Sequence, residues 1–211
     1  MGVNILMVDD HEIVYQGLRL SIHKKVNISN FDHCCTGDEC MDLLSENTYD
    51  LIILDVNLPE TDTQNLLSLI LFKNPEQKVL IFSMSPEEIY ARRFLKNGAK
   101  GFVSKEAKMS EVLFAISTVL EGKKYISLKT GQIISDDMLN RRTENPFDKL
   151  TEREIEMLKH MMNGKNGKEI SDILHLHQST VGTHKVNIFR KLGITNFVEL
   201  TEMARANGFV F

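Results

Sequence analysis

The feature that most constrains this chain is a series of short, unbroken apolar runs. Each run gives way to polar or turn residues and then to a stretch with helical spacing. Val3–Val8, Leu51–Leu54 and residues 79–82 are such runs, and residues 28–35 and 100–104 are weaker ones. An apolar run without polar alternation suits a strand covered on both faces, as inside a parallel sheet. Between the runs, apolar residues return every three or four positions. Val14, Leu18 and Ile22 mark one face, and Val112, Ala115, Ile116, Val119 and Leu120 mark the last. A helix lying on a sheet needs one such stripe. Five strand–helix units over residues 1–121 predict a doubly wound α/β domain with a parallel sheet.

Beyond residue 121 the rhythm stops. Gly122, Lys123 and Lys124 end the last helix, and a polar stretch reaches Asn145 and Pro146. Residues 122–147 read as a linker, with room for a short helix around 133–141. From residue 148 to 211 the pattern is entirely helical. Thr151, followed by Glu154, is a capping box for a helix carrying Ile155, Leu158, Met161 and Met162. A short helix carries Ile170, Ile173 and Leu174. A longer one spans Gln178–Leu192 and stops at Gly193, and a last one covers residues 196–206. Four helices make a second, all-α domain.

Several classes are disfavoured by composition. The 211 residues are 42% hydrophobic and 26% charged, which is ordinary globular usage. No apolar run approaches the roughly 18 residues of a membrane span, and no signal-peptide pattern opens the chain. A cytoplasmic protein is expected. Cys34, Cys35 and Cys40 are odd in number and lack metal-ligand spacing, so they read as small hydrophobes. His175 and His177 lie close together, but no cysteine or carboxylate cluster near them supports a metal site. Residues 1–148 hold 16 Lys and Arg against 22 Asp and Glu, whereas residues 149–211 hold nine against seven. An acidic front and a mildly basic back imply different partners.

Chemistry-bearing residues gather where the runs end. Asp9 and Asp10 follow the first strand, Asp55 the third, Ser83 closes the fourth, and Lys105 follows the fifth. Open parallel sheets bind ligands at the carboxyl ends of their strands. Taken singly, these residues have plainer readings: Asp10 could cap a helix, Ser83 could sit in a turn, Lys105 could be a solvated charge, and Phe102 could be core. Their joint placement at strand ends favours a site. Clustered carboxylates repel unless a cation joins them, and a hard divalent ion such as Mg²⁺ prefers oxygen ligands. Asp9, Asp10 and Asp55 could hold it, with the backbone carbonyl of Asn57. A carboxylate can then attack a phosphoryl group, with the Lys105 ammonium offsetting developing charge and the Ser83 hydroxyl hydrogen-bonding the product.

These residues carry a resemblance. Val8-Asp9-Asp10-His11, Leu54-Asp55 with Leu58-Pro59, Phe82-Ser83-Met84, and Gly98 to Phe102 leading to Ser104-Lys105 resemble the receiver domain of bacterial two-component response regulators. The resemblance implies that Asp55 accepts phosphate from a sensor histidine kinase. It also implies that Ser83 and Phe102 form a switch pair, the ring turning inward as Ser83 is drawn to the phosphoryl group. Departures from the pattern are Thr63 where many receivers have Gly, Met84 where Ala is frequent, and Glu106 where Pro commonly follows the lysine. The last predicts a trans Lys105–Glu106 bond.

Residues 148–211 resemble the LuxR/FixJ type of helix-turn-helix, through Leu150 to Glu154, Gly164, Lys168-Glu169-Ile170, Thr180-Val181, His184 and Lys191-Leu192-Gly193. On residues 178–192, Val181, Ile188 and Leu192 share a core face, with His184 beside it. This stretch holds no acidic residue and three basic ones, which suits a DNA groove. Thr180, Thr183, Val186 and Asn187 are expected at the DNA, the last three near base edges. Lys168, Lys185, Arg190 and Lys191 are expected near phosphates. Gly182 stands where the family often has Lys, and His177 where it usually has a Ser cap. The former removes a contact and costs about 1 kcal/mol of helix stability relative to Ala.

The chain is thus expected to be a phosphorylation-controlled transcription regulator of the NarL/FixJ type. It would form a homodimer when active, touching through residues 196–206, and bind double-stranded operator half-sites. Its only enzymatic activity would be its own phosphoryl transfer and dephosphorylation. An aspartyl-phosphate hydrolase would want a second Asp where Asn57 stands. A DNA-binding regulator that uses an unphosphorylated receiver as an interaction module is the remaining alternative.

Overall fold

The computed structural model describes residues 2–23, 25–139 and 145–206. They belong to two compact units that divide after Leu139.

In the first unit, β1 (Val3–Val8), β2 (Ile28–Cys34), β3 (Leu51–Leu54), β4 (Val79–Ser83) and β5 (Gly101–Ser104) form one sheet in the order β2-β1-β3-β4-β5. Every pairing is parallel. Helices α1 (Glu12–Ile22), α2 (Gly37–Glu46), α3 (Thr63–Lys73), α4 (Glu87–Lys96) and α5 (Met109–Leu120) connect and follow the strands. The first crossover runs outward from β1 and the next three run the other way. Right-handed connections therefore place α1 on one face and α2, α3 and α4 on the other. Helix α5 joins α1. Val112, Ala115, Ile116 and Val119 pack with Tyr15, Leu18 and Ile22 over Ile5, Met7, Leu51, Ile53 and Leu80. Register explains this row, since Met7 lies opposite Ile53 and Ile53 opposite Leu80. All of β3 and β4 is buried, as unbroken apolar runs require. Each fully buried Ile or Leu contributes about 1.5–3 kcal/mol.

The stretch expected as linker is largely structured. Tyr125 returns to the free edge of β5, where its N–H donates to the Lys100 carbonyl at 2.8 Å and it bridges Gly101. Burial and the Glu111 carboxylate raise its phenol above the ordinary range. Helix α6 (Leu128–Leu139) then packs along α4, starting about five residues before the short helix expected from sequence. Glu87, at the start of α4, accepts hydrogen bonds from the hydroxyls of Ser127 and Thr130. At the other end, Phe147 is buried in the second unit. Residues 140–144, also expected as linker, lie outside the described residues.

The second unit opens with a 3₁₀ turn (Pro146–Lys149), followed by α7 (Glu152–Met162), α8 (Gly167–Ile173), α9 (Gln178–Leu192) and α10 (Phe197–Ala206). Capping boxes close the starts of α7 (Thr151 with Glu154) and α8 (Asn166 with Glu169). Gly193 ends α9 at φ 68°, a left-handed conformation that glycine adopts without strain. Phe147, Leu150, Ile155, Leu158, Ile170, Val181, Ile188, Leu192 and Leu200 form the core. Among the described residues, no helix is long and apolar enough to cross a membrane.

Candidate functional site

Strand order reverses between β1 and β3, which opens a crevice at their carboxyl ends. Asp9 leaves β1 and Asp55 leaves β3 there. Both are buried, at 1% and 3% exposure. Lys105, past the end of β5, places its ammonium 2.7 Å from Asp9 Oδ2 and 2.8 Å from Asp55 Oδ2. One cation thus holds two buried carboxylates that would otherwise repel. Asp55 Oδ1 accepts the Val56 N–H at 2.7 Å. Ser83 is fully buried at the end of β4, and its Oγ accepts the Ser85 N–H at 3.2 Å. Phe102 is buried at 1% exposure, so its ring is turned inward. All described peptide bonds are trans, Lys105–Glu106 included.

One sequence reading changes. Asp10 does not cap α1. The capping residue is His11, which makes no side-chain cap bond, while the His11 N–H donates to Asp9 Oδ1. Asp10 stays at the mouth of the crevice, 36% exposed, with its Oδ1 2.7 Å from His11 Nδ1. The Asn57 amide donates to Ser85 Oγ at 3.0 Å.

The pocket fits a hard cation. Asp9, Asp10, His11 and Asp55 offer ligand atoms that all lie within 4.8 Å of one another. Asp9 Oδ2 is fully buried and has an ion-pair partner but no hydrogen bond. A carboxylate oxygen in that state has a lone pair to give to a divalent ion. Sequence reasoning quoted His11 only as part of a motif, without a ligand role, and did not single out His33. His33 reaches the Asp9 carbonyl through Nε2 at 2.7 Å and stacks on the Tyr15 ring with centroids 4.3 Å apart. Only the parallel register, which sets Met7 beside His33, reveals this support.

Thr63 opens α3 fully buried, and its hydroxyl donates to the Val56 carbonyl at 2.7 Å. It therefore ties the helix to the loop that leaves Asp55. Met84 is 58% exposed. Its bulk lies in solvent beside the pocket.

On α9, Val181, Ile188 and Leu192 are buried and His184 is half-buried, as the spacing predicts. Gly182, Thr183, Lys185, Val186 and Arg190 are exposed, while Thr180 and Asn187 are half-buried. Lys168 is exposed in the first turn of α8. Lys185 lies over the Phe189 ring at 5.7 Å. Lys191 departs from expectation. Its ammonium lies 2.6 Å from the buried Glu154 Oε2, so it braces α7 against α9 instead of joining the free basic face. Burial alone would raise the Glu154 carboxyl. The Lys191 hydrogen bond and the Thr151 amide outweigh burial and leave it below its ordinary value. His177 caps α9 without a side-chain cap bond, as the missing Ser predicts.

Residues 5–117 match the family model described as response regulator receiver domain, and residues 148–204 match bacterial regulatory proteins, luxR family. The chain belongs to the response regulators that join these two domains. The response regulator GacA of Pseudomonas aeruginosa is 31% identical over 209 residues, covering 99% of this chain and 98% of that one. The Fimbriae Z protein of Salmonella typhimurium is 31% identical over 204 residues, 97% of each chain. RcsB from Salmonella enterica serovar Typhimurium, solved bound to a promoter with the phosphomimetic BeF₃⁻, shares the fold. It has TM-score 0.61 at 20% identity, covering 96% of this chain and 98% of that one. This response regulator therefore has the two-domain architecture of its family, which regulates transcription by binding DNA.

Proposed function

We propose that Asp55 is the phosphoacceptor and that its phosphorylation controls DNA binding through α9. The observation that carries this reading is the Lys105 ammonium joining buried Asp9 and Asp55 at the strand ends. The donor is the phosphohistidine of a sensor kinase. A carboxylate oxygen of Asp55 forms a bond to phosphorus as the histidine nitrogen–phosphorus bond breaks, and the electron pair stays on nitrogen. Asp9, Asp10, Asp55 and the Asn57 carbonyl would hold Mg²⁺, which supplies positive charge to the phosphoryl oxygens. As the Asp55 carboxylate gives up its charge to the new bond, the Lys105 ammonium that paired with it offsets the negative charge on the phosphoryl oxygens. Ser83 Oγ donates to a phosphoryl oxygen, and the Phe102 ring already occupies the inward position that the switch pair calls for.

The receiver spans residues 1–121 and the DNA-binding domain residues 148–211. Lys168, Lys185 and Arg190 contact phosphates, while Thr180, Thr183, Val186 and Asn187 lie against the groove. RcsB, with the same fold, is bound to promoter DNA in the presence of a phosphomimetic, which supports a DNA-bound phosphorylated state here. Phosphorylation shifts a preexisting equilibrium towards a homodimer on two half-sites, joined through α10. The protein works in the cytoplasm and is no enzyme beyond its own phosphoryl chemistry.

The test is incubation with Mg²⁺ and acetyl phosphate, read by intact mass, sedimentation and gel shift on promoter fragments. Phosphate uptake with tighter, dimeric DNA binding is the expected result. Absence of uptake would sink the mechanism, and uptake without change in DNA affinity would sink the control of α9.

A further inference from the structure

The face of α9 that the fold leaves uncovered has an unusual chemistry. Around the helix, Gly182, Val186, Arg190 and Thr183 follow one another on one side. Val186 is 66% exposed, an aliphatic, β-branched residue in mid-helix with no burial to justify it. The Thr183 hydroxyl donates to the Ser179 carbonyl at 3.0 Å, so the polar atom of this exposed side chain is engaged within the helix and its methyl is the group left to offer. At Gly182 an added Cβ would meet nothing within 4 Å, and its φ is not in the left-handed region. Neither packing nor backbone conformation demands this glycine, although it weakens the helix by about 1 kcal/mol relative to Ala. The Arg190 guanidinium donates to Asn187 Oδ1 at 3.2 Å, which occupies the acceptor that a bidentate contact to adenine would use.

What remains at the centre of this face is a small apolar strip, Val186 with the Thr183 methyl, beside an open glycine. In the major groove the base-edge group that matches an apolar strip is the C5-methyl of thymine. We propose that Val186 reads the C5-methyl group of a thymine in each half-site, with the Thr183 methyl as its neighbour and Gly182 leaving room for the close approach. This rests on the reading of α9 as the recognition helix. The proposal also changes the role of Asn187: its free amide protons donate to a base acceptor instead of pairing with adenine through both groups.

Uracil is the direct probe, because it pairs as thymine does and lacks only the methyl. The full-length protein, with Mg²⁺ and acetyl phosphate, is used to enrich binding sites from random duplex DNA. The enriched site is then resynthesised with deoxyuridine in place of each thymidine in turn. Wild type is expected to lose affinity about fourfold at one thymine per half-site, the worth of one buried methyl at about 0.8 kcal/mol. Val186→Ala, at an exposed position that leaves the core intact, is expected to bind thymine and uracil sites equally. Gly182→Lys is expected to raise affinity for all DNA while shrinking the thymine preference. An enriched site with no uracil effect overturns the proposal, as does a uracil effect that survives in Val186→Ala, and DNA binding by α9 stands in both cases. Failure to enrich any site overturns the DNA-binding reading and this proposal together.

Discussion

At the carboxyl edge of the sheet, Asp9, Asp55 and Ser83 are buried at 1%, 3% and 0% exposure; the two carboxylates share the Lys105 ammonium, and Ser83 Oγ accepts the Ser85 N–H. On α9, Gly182, Thr183, Lys185, Val186 and Arg190 lie in solvent with few partners. The two regions meet different physical demands. A reacting carboxylate must be held in place before its substrate arrives, and burial with fixed charges does this. A reading surface must keep groups unpaired, because every bond made within the protein is one not made to DNA. Glu154 and Lys191 show the boundary: once Lys191 is paired with a buried carboxylate, it serves the fold.

The comparison can be broken at four points, from the largest effect to the smallest. Asp55→Ala should abolish phosphate uptake from acetyl phosphate, measured by intact mass. Phosphate retained at another residue would show that the buried pocket is not the reacting one. Lys105→Met should destabilise the first unit by about 3–5 kcal/mol in urea, since it leaves two buried carboxylates face to face, and Mg²⁺ should restore part of the loss. An unchanged midpoint would mean that water, not Lys105, balances those charges.

In the second unit, Lys191→Met should cost about 1–2 kcal/mol, less than at Lys105 because 30% of the Lys191 side chain is exposed. The pH dependence follows from the lowered Glu154 carboxyl. Its stabilisation is present above the ordinary value of 4.5 and is lost as pH falls through the lower folded value. Acid titration of the isolated pair's contribution, wild type against Lys191→Met, should show that loss in wild type only. Finally, Lys185→Ala should reduce the slope of log affinity against log salt by about 1, whereas Lys191→Met should leave it unchanged. Equal slopes for the two variants would erase the distinction between reading face and brace.

The apolar runs and their spacing made the five strands and most helices legible, because burial on both faces of a parallel sheet leaves a direct mark on composition. The pocket was legible for the same reason: strand ends converge in this topology, so Asp9, Asp55, Ser83 and Lys105 could be placed before any distance was measured. Within the expected linker, the start of the helix at Leu128 and the edge contact of Tyr125 were not legible. The polar composition of residues 122–147 reads as linker, yet Tyr125 pairs at the edge of β5, and Ser127 and Thr130 bond to Glu87, from far along the chain. His33 and the bracing role of Lys191 escaped for a related reason, since each acts on a residue of another element.

By itself, then, the sequence determined the two-domain division of labour, the parallel sheet, the acidic site at its edge and a helix with one buried and one bare face. These follow from local periodicity and from the order of strands. Only the tertiary structure decided which cations are spent inside the protein. Lys105 and Lys191 look alike as charges in the sequence, but each is held within 3 Å of a buried carboxylate, while Lys185 faces solvent. That choice depends on distances between elements far apart in the chain, which no local pattern encodes.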